Sequence, residues 1–172
     1  MKALRIKKNG KAPLVAGAFN GEDENVVRDW IKEGGNWGYL TGSLSGVVVI
    51  DIDTHNGVSG ADNLKEFCEK YDIELPDTKT VMTPSGGLHL YYNLPEKYND
   101  VQFIQNHKEL EGVDFQTHGR YIVGWGSTIE GVKYEVIDNS PIADLPVKWF
   151  DIFTDKTIQK KNKKRGRKWT AN

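Results

Sequence analysis

Two carboxylates stand one residue apart at the end of a greasy run, in "GVVVIDIDTHNG", residues 46–57. Along an extended strand, residues i and i+2 share a face with alpha-carbons about 6–7 Å apart, so Asp51 and Asp53 converge. Like charges this close repel unless a cation stands between them. Hard divalent ions such as Mg2+ and Mn2+ take oxygen ligands. The C-terminal end of a strand, beside a loop such as "THNGVSG", is where α/β folds bind ligands. Two turn-capping aspartates at a strand exit would look the same, and an isolated Asp-x-Asp does not separate these readings.

Two further stretches add chemistry. "TPSGGLHL" is a Gly-rich turn entering a strand that carries His89. Glycines let backbone N–H groups approach phosphate oxygens, and the Ser85 hydroxyl adds a donor. In that strand Leu88, Leu90 and Tyr92 share one face, while His89 and Tyr91 share the other. In "LEGVDFQ", Asp114 interrupts an otherwise apolar strand. Each has an ordinary alternative: a satisfied structural histidine, a solvent-facing aspartate. Together, three carboxylates and a phosphate cradle are what two-metal phosphoryl or nucleotidyl transfer requires.

The elements that must position these groups follow from periodicity. "VVRDWIKE" (26–33) reads as a short helix closed by Gly34 and Gly35, and "NWGYLTG" as a strand. "GVVVIDID" is near-continuously apolar, as for a strand covered on both faces. In "SGADNLKEFCEKYDI", Leu64, Phe67, Cys68 and Tyr71 follow the spacing of one helical face, with Ser59 and Asp62 as a capping start. Cys68 is therefore a core residue and not a nucleophile. "LPDTKTVMTPSGGLHLYYNLP" predicts a hairpin. "ELEGVDFQTHGRYIVGWGS" predicts a pair of short strands around Thr117-His118-Gly119, "VKYEVID" a late strand, and "PVKWFDIF" a C-terminal helix. Strands outnumber helices, and the order gives a mixed α/β (α+β) domain instead of a βαβ repeat.

At 172 residues the chain holds one domain or two small lobes, and 38% hydrophobic with 27% charged residues is ordinary globular composition. The aliphatic runs are too short to cross a bilayer, and "MKALRIKKNGKAPLVAGAF" lacks a secretory h-region. A lone cysteine makes neither an internal disulfide nor a Cys-rich zinc site, so a cytoplasmic location is expected. Of 23 Lys and Arg, 8 lie in the acid-free segment 156–168, which leaves 15 bases against 24 acids and a net charge of −9 on the body. Such a body is not that of a protein that coats DNA, and the tail fits a solvated terminus, a nucleic-acid tether or a linker to a further domain.

The ordered motifs resemble the bifunctional primase/polymerase (prim-pol) domains of plasmid, phage and mobile-element replication proteins, within the archaeo-eukaryotic primase superfamily. "GKAPL" is similar to the family's Lys-x-Pro entry, and "NWGYLTGSLSGVVVIDID" to its Asn-x-Gly-x-x-Thr-Gly and Asp-x-Asp motif. "LPDTKTVMTPSGGLHLYY" resembles its Thr-Pro-Ser-Gly-Gly-x-His motif, and "GVDFQTHGRYIVGWGS" its Gly-hydrophobic-Asp motif, so the likeness covers roughly residues 11–137.

The resemblance implies metal ligation (Mg2+ or Mn2+) by Asp51, Asp53 and Asp114. It implies triphosphate contact by His89, helped by Ser85, Gly86 and Gly87, with Lys11 of the entry motif a further nucleotide-binding candidate. Gln116 stands where many members have Arg, with Arg120 or His118 as candidate substitutes, and "GWGS" replaces a common Pro-Pro-Ser ending. The implied fold is an α/β lobe packed on an RRM-like lobe with the active site in the cleft. Residues 1–155 would form the catalytic domain and 156–172 a basic tail or linker.

The implied activity is template-directed nucleotidyl transfer, as DNA primase, DNA polymerase or both. Its partners would be single-stranded DNA template and primer, dNTP or NTP, and a C-terminal helicase domain or replicative helicase, in the cytoplasm of a bacterial host. Two other classes stay open: a sugar-nucleotide transferase, which also uses Asp-x-Asp but leaves "TPSGGLHL" and Asp114 unexplained, and a metal/nucleotide- or DNA-binding module without turnover. A rolling-circle nuclease would need paired histidines that "LHL" lacks.

Overall fold

The computed structural model describes residues 2–55, 57–99, 103 and 107–153; the basic tail lies outside them. Its centre is β3 (Val47–Ile52), flanked by β5 (Leu88–Asn93) and β6 (Val113–Gln116), both antiparallel to it. β4 (Thr80–Met82) and β10 (Glu135–Asp138) extend the sheet in the order β10-β4-β5-β3-β6, and β11 (Ala143–Asp144) pairs with the end of β5 in parallel. A second, antiparallel sheet has the order β1 (Ala3–Ile6), β2 (Asn36–Leu40), β7 (Tyr121–Val123). β8 (Thr128–Ile129) and β9 (Val132–Lys133) form a small hairpin. The architecture is mixed α/β, with three α-helices among the described residues.

The apolar run of β3 is covered on both faces. Val48, Ile50 and Ile52 join a core with Leu64 and Phe67 of α2 (Gly60–Lys70) and Trp149, Phe150 and Phe153 of α3 (Val147–Phe153). Val47 and Val49 join a second core with Leu4, Ile6, Leu40 and Ile122 of the smaller sheet. That sheet also carries α1 (Glu24–Lys32), where Asp23 caps the first turn by accepting from the Asn25 N–H, and the Trp30 indole donates to the Ile6 carbonyl at 2.8 Å. In α2 the Ser59 hydroxyl accepts from the Asp62 N–H at 3.3 Å.

Two features differ from the sequence expectation. The N-terminal segment forms β1, which carries little alternation to mark it. The short strands around Thr117-His118-Gly119 both exist but are not each other's partners: β6 joins the large sheet and β7 the small one. Thr41 stitches the crossing, its hydroxyl donating to the Thr117 carbonyl at 2.6 Å and its N–H to the Arg120 carbonyl at 3.0 Å.

Cys68 packs half-buried against the first core, and burial pushes its thiol up to about 11. The thiol therefore stays protonated at neutral pH, where the thiolate is the reactive form. Iodoacetamide should label native protein at least about tenfold more slowly than the urea-unfolded chain. Equal rates would place Cys68 outside the core.

Candidate active site

Strand pairing sets out the chemistry. Asp51 of β3 lies opposite His89 of β5 on one side and Asp114 of β6 on the other, and His89 lies opposite Val81 of β4. Cross-strand partners share a face, so His89, Asp51 and Asp114 form one row across the sheet. The next row is Tyr91, Val49 and Gln116. Asp53 follows β3 directly, and its backbone is pinned from both sides: its N–H donates to the Gly112 carbonyl at 2.7 Å, and its carbonyl accepts from Gly60 at 3.0 Å.

The row is poorly solvated. His89 is only 4% exposed, and its Nε2 stands 3.4 Å from Asp51 Oδ1. Burial lowers the His89 pKa to about 4, and the Lys11 charge pushes the same way. The ring is therefore neutral at physiological pH, and its contact with Asp51 is not an ion pair. Its Nδ1 is buried without a hydrogen-bond partner. Burial, then Asp53, then Asp114 push the Asp51 carboxyl up to about 7, opposed by a Gln116 hydrogen bond and by Lys11. Asp114 is raised by burial and by Asp53, with Arg120 opposing. His55, four residues after Asp51, brings its Nε2 to 3.4 Å from Asp53 Oδ1.

A pocket of about 230 Å³ opens over His89 and Asp51, lined also by Lys11, Asp53, Ser85 and Gln116, with β7 and Tyr134 on its other wall. Asp114 borders an adjoining depression beside His107 and Lys108. His118 is exposed and sits 2.7 Å from the Ser43 hydroxyl, and neither it nor Arg120 lines the pocket.

The Gly-rich turn is closed by its own bonds. Gly86 N–H donates to the Thr83 carbonyl at 2.9 Å, Gly87 N–H to Thr83 Oγ1 at 2.9 Å, and Thr83 N–H to the Gly87 carbonyl at 2.8 Å. Both glycine amides are thus engaged within the turn, while the Ser85 hydroxyl, 3.1 Å from Thr83 Oγ1, reaches the pocket. Gly87 serves another purpose: a Cβ there would stand 2.5 Å from the Ile52 carbonyl oxygen, so its absence lets the turn press against the end of β3.

A family model described as bifunctional DNA primase/polymerase, N-terminal, matches residues 1–148. The chain belongs to the Prim-Pol family. No curated protein matches it. The Prim-Pol match takes in both sheets and reaches into α3, and it points to nucleotidyl transfer of the primase/polymerase type.

Prim-Pol enzymes are metal-dependent in general. Among the described residues no three His, Cys, Asp or Glu side chains converge closely enough to hold an ion. The donor set nonetheless fits a hard cation. Two of its carboxylates are raised by burial and then by their neighbours' charge, and a bound cation relieves that repulsion. The sequence signals for His55 (Asp-x-Asp-x-His) and for Gln116 as a hydrogen-bond donor to Asp51 lie within the motifs. Tyr134, whose ring centroid lies 5.7 Å from that of His89, carries no such signal.

Repulsion within an anionic row opposes folding. Asp51→Asn keeps the shape and removes the repulsion, so it should stabilise the domain by about 0.5–2 kcal/mol in chelator, measured by urea unfolding. A variant no more stable than the parent would show that Lys11 and Gln116 already neutralise the row.

Proposed function

We propose that this Prim-Pol domain is a template-directed nucleotidyltransferase that synthesises or extends DNA primers by a two-metal mechanism. The observation that carries the proposal is the row His89, Asp51, Asp114 with Asp53 beside it: His89, Asp51 and Asp53 line one pocket with Lys11 and Ser85, and Asp114 pairs with Asp51 across the strands. Asp51, Asp53 and Asp114 would hold Mg2+ or Mn2+. Bound there, the ions would supply activation of the primer 3′-hydroxyl and neutralisation of charge on the departing pyrophosphate. The chain's own groups do the rest. His89, neutral and lining the pocket, hydrogen-bonds the triphosphate of a dNTP or NTP; Ser85 adds a donor; the wall of β7 and Tyr134 excludes water. Gly86 and Gly87 act by fixing the turn that presents Ser85 and His89.

Two cores on either side of β3 support reading the domain as an α/β lobe packed on an RRM-like lobe, with residues of both sheets lining the pocket as its cleft. The resemblance supports a phage, plasmid or mobile-element replication protein acting on single-stranded template and primer in a bacterial cytoplasm. A C-terminal helicase domain or replicative helicase would be its partner. No helix among the described residues is long and apolar enough to cross a membrane.

Asp51→Ala and Asp53→Ala should each abolish metal-dependent dNTP incorporation on a primed template, with the fold checked by circular dichroism. Normal incorporation by both variants would sink the proposal, while tight dNTP binding without incorporation by the parent would select a binding module instead. The acidic body leaves DNA affinity weak and salt-sensitive. Deletion of residues 156–172, which carry the 8 clustered bases, should therefore weaken DNA binding more than dNTP binding. Equal losses, or none, would make the tail a mere linker or inert.

A further inference from the structure

Among the described residues, Lys11 is the one Lys or Arg that lines the pocket, and it has no ion-pair partner within 4.0 Å. Its side chain is exposed, yet its charge is felt by both Asp51 and His89. A lysine on a surface loop is ordinarily a loose cation, but this loop is clamped.

Within the loop, Lys7 N–H donates to the Ala12 carbonyl at 3.0 Å and Gly10 N–H to the Lys7 carbonyl at 3.1 Å. Three bonds then tie it to distant parts of the chain. The carboxamide of Asn36, 1% exposed on β2, donates to the Gly10 carbonyl at 3.0 Å and to the Thr128 carbonyl at 2.9 Å, and accepts from the Thr128 N–H at 2.9 Å. The hydroxyl of Tyr121 on β7 donates to the carbonyl of Lys11 itself at 2.8 Å. Asn9 accepts from the Glu130 N–H. The peptide carbonyls on both sides of the Lys11 α-carbon are therefore fixed by side chains of the smaller sheet.

We propose that Lys11 is the cation that binds the polyphosphate of the incoming nucleotide, and that Tyr121 and Asn36 are positioning residues that aim it. The ligand chemistry is a phosphate anion. It is assigned to the triphosphate and not to the DNA backbone, because Lys11 shares its pocket with Asp51, Ser85 and His89. The proposal rests on the nucleotide-binding part of the function proposed above. It also accounts for Asn36, which is buried outside the pocket but holds the loop that carries Lys11.

The test uses the full chain and its Lys11→Ala, Lys11→Arg, Tyr121→Phe and Lys11→Ala/Tyr121→Phe variants. Dissociation constants are measured for a dNTP with Ca2+, for inorganic tripolyphosphate, and for a primed oligonucleotide. Loss of a charge-assisted contact predicts dNTP and tripolyphosphate binding weakened about ten- to hundredfold in Lys11→Ala, largely restored in Lys11→Arg. Tyr121→Phe, which keeps the ring and removes one hydrogen bond, should weaken both about three- to tenfold. The double variant should bind no worse than Lys11→Ala, because a clamp has no effect once the group it aims is gone. Oligonucleotide binding should be unchanged throughout.

Several results would overturn the proposal: Lys11→Ala binding dNTP like the parent, an equal loss of DNA binding, additive effects in the double variant, or a parent that binds neither dNTP nor tripolyphosphate. Incorporation assays separate this from the wider function. A parent that binds dNTP through Lys11 but incorporates none leaves the proposal standing and removes the polymerase. A parent that incorporates normally, with Lys11→Ala unaffected, does the reverse.

Discussion

The register of β3 is the constraint on which the site depends. A strand buried on one face tolerates little slippage, and a strand buried on both tolerates none, because a shift of one residue exchanges its faces. Here Val48, Ile50 and Ile52 are committed to one core and Val47 and Val49 to the other. Asp51 must then continue the line of Val47 and Val49, at the point where the second core gives way to the pocket. A slip would drive its carboxylate among Phe67, Phe115 and Trp149. Because β5 and β6 pair with β3 on either side, the same register delivers His89, Asp114 and Gln116.

What this register delivers is unfavourable in itself. Asp51 and Asp114, whose pKa values burial and then neighbouring charge raise, are set beside a neutral histidine, and the nearby Tyr91 hydroxyl is buried without a hydrogen-bond partner. Such strain persists only where the surroundings over-determine it. They do so through packing: Tyr91 is held edge-on by Tyr39 at 5.8 Å and by Trp125 at 5.6 Å, and Trp125 by Trp37 at 5.0 Å. This aromatic floor cannot rearrange to draw the carboxylates apart. Relief comes from polar groups at the rim, Gln116 and Lys11.

Side-chain alternation makes half of this visible in the sequence. It shows that Asp51 and Asp53 run together, that His89 faces with Tyr91, and that Leu64, Phe67, Cys68 and Tyr71 make a core stripe. Alternation reports the faces of a strand but not its partners. That is why nothing in the pattern reveals that β6 and β7, separated only by Thr117-His118-Gly119-Arg120, enter different sheets. The same limit hides the clamp on Lys11. Its loop is held by contacts 26 and 110 residues away in sequence, and nothing local in "NGKAPL" announces them. The Gly-Gly turn shows a third limit, since composition indicates available amides where hydrogen bonding within the turn engages them.

The departure at "GWGS" can be understood in the same terms. Proline holds φ near −65°, whereas Gly126 sits at φ +81°. The turn after β7 therefore has no place for a proline at Gly126. Trp125 is also the residue that completes the aromatic floor, its carbonyl accepting from the Trp37 indole at 2.9 Å. The serine that both endings share keeps a structural role. Ser127 is buried, and its hydroxyl accepts from the Trp37 N–H at 3.2 Å, joining this turn to β2. Asn36, the residue before Trp37, binds the Lys11 loop and the start of β8 together. The turn thus places a tryptophan against Trp37, Tyr39 and Tyr91. The smaller sheet then acts as one body that carries the floor, the pocket wall and the lysine against the carboxylates of β3.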